Sequence, residues 1–101
     1  MNLTHIDHVA LESKNINESV AWYSKQFDCK IKHQDSTWAL LEFGNISIAL
    51  VTPGDHPPHI AVVDENVKNH PEVKVHRDGI AYVYETDPDS NAIEKIDRKP
   101  F

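Results

Sequence analysis

The chain has 101 residues, 40% hydrophobic and 26% charged, which is enough for one domain with a modest core and excludes a disordered chain. Ten scattered basic residues against 16 acidic ones leave a formal net charge of -6, which argues against nucleic acid and anionic membrane surfaces as partners. No apolar run approaches the roughly 20 residues of a membrane span, Cys29 has no second cysteine, and MNLTHIDHVAL shows neither a basic nor an apolar signal region, so a reducing cytoplasm is expected.

The stretch HIDHVALE alternates, with Ile6, His8 and Ala10 on one face and Val9 and Leu11 on the other, and predicts a strand. In NINESVAWYSKQF the apolar residues Ile16, Val20, Tyr23 and Phe27 recur at helical spacing, and Asn15 and Glu18 stand as a capping box. This predicts a helix closed by Asp28 in the left-handed position. A second strand restarts at CKIKH, and TWALLEFG and NISIALV give two more, joined at the turn pair Gly44-Asn45. After a loop from Pro53 to Pro58 the pattern begins again. PHIAVV is a strand, DENVKNH a short helical turn opened by Asp64, and EVKVH, IAYVYET and AIEKID are three further strands, with turns at Arg77-Asp78-Gly79 and DPDSN.

The order is therefore βαβββ twice within one domain of residues 1–101, the first module at about 1–54 and a shortened second at about 55–101. The strand starts echo one another, His8-Val9-Ala10-Leu11 against His59-Ile60-Ala61-Val62, and so do the fourth strands, Ile48-Ala49-Leu50 against Ile93-Glu94-Lys95. Taken alone, His59 at the head of an apolar run reads as a strand-end core histidine. Two modules related by a pseudo-twofold change that reading, because they bring His8 and His59 to face one another, with Glu94 joining from the fourth strand. Two imidazoles and a carboxylate match an open site for Fe(II), Mn(II), Zn(II) or Ni(II). The symmetric fourth position is Ala49, which cannot coordinate. His33, His70 and His76 stand in polar surroundings and are expected to face solvent.

His8 in IDHVAL, the helix ESVAWYSKQF, the pair WALLEFGNISIAL, His59 in PPHIAVV and Glu94 in DPDSNAIEKI together resemble the vicinal oxygen chelate superfamily of glyoxalase I, bleomycin-resistance proteins, fosfomycin-resistance thiol transferases and extradiol dioxygenases. YETDPDSNAIE is similar to that family's DPDGN-x-IE signature, with Ser90 in place of the glycine. The resemblance covers nearly the whole chain. It implies an α+β fold of two βαβββ modules forming a curved mixed and antiparallel, glyoxalase-like sheet cup. It also implies a divalent metal ion (Zn, Ni, Mn or Fe) on His8, His59 and Glu94, and a small-molecule substrate.

Departures narrow the expectation. Glyoxalase I has a fourth ligand where this chain has Ala49, the cationic C-terminal segment of the fosfomycin enzymes is represented only by Arg98 and Lys99, and no second pair of modules of the extradiol kind is visible. Tyr84 resembles a pocket tyrosine of the thiol transferases and is a candidate to hydrogen-bond an oxyanion, a buried core tyrosine being the equal reading. Glu42, on the strand face of Trp38 and Leu40, is a candidate general base beside the reading of a solvent-facing carboxylate, and Ser47 shares the face of Ala49. The leading expectation is a metal-dependent lyase, isomerase or transferase acting on vicinal oxygens. The alternatives are a non-enzymatic binding protein of the bleomycin-resistance type and a structural dimer with a vestigial site. Small relatives imply a homodimer with its sites at the interface, His8 of one chain meeting His59 and Glu94 of the other.

Overall fold

Residues 2–54, 56–76 and 79–100 are described by the structure, a computed structural model. Arg77 and Asp78 of the expected turn lie outside the described residues. The chain divides into two units, His8–Pro58 and Met1–Asp7 with His59–Phe101, so the division falls inside β1 (Ile6–Glu12) and again just before His59.

In the His8–Pro58 unit, β1 leads through α1 (Ile16–Gln26) to β2 (Lys30–Gln34), β3 (Trp38–Glu42) and β4 (Ser47–Val51), and the strands lie side by side as β2-β3-β4-β1. The hairpin pairs are antiparallel and β1 runs parallel to β4, His8 opposite Ser47 and Ala10 opposite Ala49. Asn15 caps the helix, its Oδ1 accepting from the Glu18 N–H at 3.0 Å, which satisfies one of the four free donors of the first turn. Ile16 and Val20 seal one sheet face against Ala39, Leu41 and Leu50, with Tyr23 and Phe43 at the margin. Strand alternation sends Ala10, Leu40, Ala49 and Val51 to the opposite face, where they form a second cluster. His8, Trp38, Glu42 and Ser47 share that helix-free face by parity.

The expected left-handed cap at Asp28 is not formed. Phe27 ends the helix in an extended conformation, its N–H bonded to Tyr23 O at 3.0 Å, and its ring packs edge-on to Phe43, so the chain leaves straight toward β2. The Gly44-Asn45 turn is closed by the Phe43 N–H on Ile46 O, with Gly44 outside the left-handed region.

The other unit repeats the topology. β5 (His59–Val63), a 3-10 turn (Val67–Asn69), β6 (Lys74–Val75), β7 (Ile80–Thr86) and β8 (Ala92–Pro100) lie as β6-β7-β8-β5, with β5 parallel to β8 and the other pairs antiparallel. The helix of the first module is here reduced to one turn, opened by Asp64, whose carboxylate accepts from the Asn66 N–H and whose carbonyl accepts from the Val67 N–H. Val67 packs with Val73, Ala81 and Val83, and Lys68 pairs with Asp97 at 3.4 Å. The N-terminal residues of this unit join it through the Val63 N–H on His5 O and through Arg98, which forks onto Asp7. Among the described residues no helix is long and apolar enough to cross a membrane.

Candidate metal centre

The parallel pairs of the two units keep the same register: Ala10 is opposite Ala49 in one, and Ala61 is opposite Glu94 in the other. Two residues earlier stand His8, opposite Ser47, and His59, opposite Ala92. His8 and His59 thus occupy equivalent places, and Ala49 occupies the place of Glu94. His8 is half-buried on β1.

Cross-strand pairing assembles the rest within the second unit. Glu94 lies opposite Tyr84 and Ile96 opposite Tyr82, so the two tyrosines share a sheet face with His59 and Glu94, opposite to the face that the 3-10 turn covers. His59 is 8% and Glu94 3% exposed. His59 Nε2 is 3.4 Å from Glu94 Oε1, while Tyr84 Oη lies 3.5 Å from His59 Nδ1, at the long edge of hydrogen bonding, with the two rings perpendicular. The other carboxylate oxygen, Glu94 Oε2, receives His76 Nε2 at 2.9 Å, and the His76 ring stacks on Tyr82 with centroids 3.6 Å apart.

The electrostatics follow from these contacts. Burial pushes Glu94 toward protonation, but the hydrogen bonds and positive charge of His59 and then of His76 outweigh it and bring the carboxyl from 4.5 to about 2. Tyr84 is driven the other way: burial first, then the negative charge of Glu94 and the neighbouring Tyr82 raise it well above the usual tyrosine value. Near neutral pH the cluster therefore holds an ionised carboxylate and a protonated phenol. Without an ion, the proton that bridges His59 Nε2 and Glu94 Oε1 stands on His59, because a carboxylate only accepts; an ion between the two would take that proton's place, with the ring proton then on Nδ1 facing the phenol oxygen.

That donor set fits a divalent ion. Two ligands about 2.0–2.1 Å from one metal at the tetrahedral angle stand about 3.3–3.4 Å apart, and His59 Nε2 and Glu94 Oε1 stand at 3.4 Å. Buried imidazole and carboxylate are the ligand types that borderline divalent metals take.

His76 is a correction to the sequence reading. Expected in solvent, it is half-buried and bonded to Glu94, because β6 pairs Lys74 with Tyr82 and strand alternation then turns His76 to the same face. That parity was the available signal, masked by the turn composition that follows. Glu42 stands on its predicted face but is exposed and 3.7 Å from Lys32. Arg98 is engaged by Asp7.

The family model described as the Glyoxalase/Bleomycin resistance protein/Dioxygenase superfamily matches residues 5–99. The chain belongs to this superfamily. Solved structures of the same fold include a superfamily member from Vibrio splendidus 12B01, 9% identical over 94% of this chain and 99% of that one with a TM-score of 0.68. Others are a Bacillus halodurans C-125 protein, 17% identical over 99% and 98% with a TM-score of 0.63, and a Legionella pneumophila protein described as an NAD-dependent benzaldehyde dehydrogenase, 15% identical over 88% and 96% with a TM-score of 0.66. These likenesses concern the fold of the glyoxalase superfamily. No curated protein matches the sequence.

Proposed function

We propose that this superfamily member is a small metal-dependent enzyme, a lyase, isomerase or transferase, with a divalent ion on His8, His59 and Glu94 and a small substrate bearing vicinal oxygens. The observation that carries this reading is the buried His59–Glu94 pair at metal-sharing separation, together with the matching registers that make His8 the counterpart of His59. When bound, the ion supplies Lewis-acid stabilisation of negative charge developing on a substrate oxygen. Glu94 supplies a carboxylate that stays ionised near neutral pH, and Tyr84, which keeps its proton, orients His59 and can donate a hydrogen bond to an oxyanion. Glu42 enters as general base only on release from Lys32. Ala49 supports no second carboxylate, so proton transfer of the glyoxalase I kind is not part of the proposal.

The same reading includes a homodimer with its sites at the interface, in the cytoplasm. Its support is that Trp22, Phe27 and Ile31 of one unit and Leu3 and Val75 of the other are about half exposed or more, that β2 and β6 each end their unit's strand order, and that Cys29 is a free thiol. Exposed strand edges and apolar side chains are normally covered.

Metal analysis of protein purified without chelator tests the function. Wild type is expected to carry close to one ion per chain, and His8→Ala, His59→Ala and Glu94→Gln to lose most of it while circular dichroism stays unchanged, since strand-borne ligands are largely preformed. Full occupancy in His59→Ala would overturn the assignment, and a metal-free, ligand-binding wild type would favour a sequestering protein.

A further inference from the structure

The two oxygens of Glu94 have different partners: Oε1 is 3.4 Å from His59 Nε2, and Oε2 is 2.9 Å from His76 Nε2. A carboxylate with both oxygens free can bind a cation through one oxygen or two, whereas one whose second oxygen is held by a fixed donor presents a single oxygen. His76 is such a donor. Its ring lies on Tyr82 with planes only 7° apart, and Tyr82 is itself set edge-on to Tyr84 at 5.9 Å. The strand pairings β6 to β7 and β7 to β8 carry this arrangement across to Glu94. A carboxylate that serves as a ligand only accepts, so the 2.9 Å contact of Oε2 requires the proton on His76 Nε2.

We propose that His76 is a positioning residue: it donates Nε2–H to Glu94 Oε2, and so fixes Glu94 as a one-oxygen ligand whose Oε1 is presented beside His59 Nε2. The inference rests on the reading of His59 and Glu94 as metal ligands and adds to it a residue outside the ligand set, held by an aromatic stack. His76 does not touch the substrate in this role; it acts through Glu94.

Competition for zinc ions against a chromophoric chelator tests it, on wild type, His59→Ala, His76→Phe, His76→Leu and His76→Gln, each checked by circular dichroism and thermal unfolding. Phenylalanine keeps a ring for Tyr82 and removes the donor, leucine removes both, and glutamine places an amide N–H near the position of Nε2. Loss of a partner that orients a ligand weakens metal binding about 10–100-fold. We expect that loss in His76→Phe and His76→Leu, near wild-type affinity in His76→Gln, and a changed visible spectrum of the cobalt(II)-loaded protein only in the donor-free variants. If His59→Ala loses zinc while His76→Phe and His76→Leu bind as wild type does, the positioning role is overturned and the metal site stands. If His76→Gln is as weak as the donor-free variants, the hydrogen bond is not what matters and the proposal is overturned. Equal binding by wild type and His59→Ala overturns the metal site and this role together.

Discussion

Glu94 carries a charge almost out of reach of water, at 3% exposure, and does so because His59 and His76 bond its two oxygens. Its carboxyl value is 4.5 ordinarily and about 2 in the fold. A carboxyl lowered by folding stabilises the native state above its ordinary value, and that contribution is lost as pH falls from there through the folded value. For metal-free protein, urea titrations are expected to place Glu94→Gln on the order of 2 kcal/mol below wild type near pH 6, the difference shrinking as pH falls toward about 2. A difference independent of pH across that window would mean that the charge of Glu94 contributes nothing to folding. Ala49 is the complementary case. It stands opposite Ala10 as Glu94 stands opposite Ala61, so Ala49→Glu is expected to add an oxygen ligand and tighten divalent binding. Unchanged zinc affinity in a folded Ala49→Glu protein would mean that position 49 does not face the ion.

Among the elements, the turn before β8 shows how a local sequence positions Glu94. Asp87 accepts the Asp89 and Asn91 N–H groups and the Asn91 side-chain amide, each at 2.9 Å, and this closes the loop that leads into the strand bearing Glu94. Ser90 sits within it at φ 68°, the left-handed region, where an L residue is strained by about 1–2 kcal/mol. Ser90→Gly relieves that strain at the cost of chain entropy, and a net gain of about 0.5–1 kcal/mol is expected, read as a rise of several degrees in Tm. A lower Tm would show that the serine side chain stabilises the turn. The strands and helix α1 were legible because their apolar spacing, the Asn15 cap and the turn residues agree. The repeat was legible because His-Val-Ala-Leu and His-Ile-Ala-Val begin equivalent strands. His76 was not, because the turn residues that follow it point to solvent and its bond to Glu94 spans two strand pairings that sequence does not display. The end of α1 departs from local preference for a related reason: Phe27 caps the helix in an extended conformation and packs on Phe43 across the fold, so Asp28 does not take the left-handed position.

On the scale of the whole molecule, the superfamily membership and the repeated βαβββ topology were both legible in the chain. The division inside β1, which leaves residues 1–7 with the second module, was not, since it depends on partners such as Val63 and Arg98 that lie far along the sequence. Sedimentation at micromolar concentration is expected to give a homodimer, and a monomer that still binds one ion per chain would end the interface proposal. X-ray absorption of the zinc-loaded protein reads the proposed ligand set of His8, His59 and Glu94. Nitrogen and oxygen neighbours are expected at about 2.0–2.1 Å, with the outer-shell signature of two imidazoles and no sulfur at about 2.3 Å. A sulfur neighbour from Cys29, a single imidazole, or three imidazoles with His76 among them would contradict it.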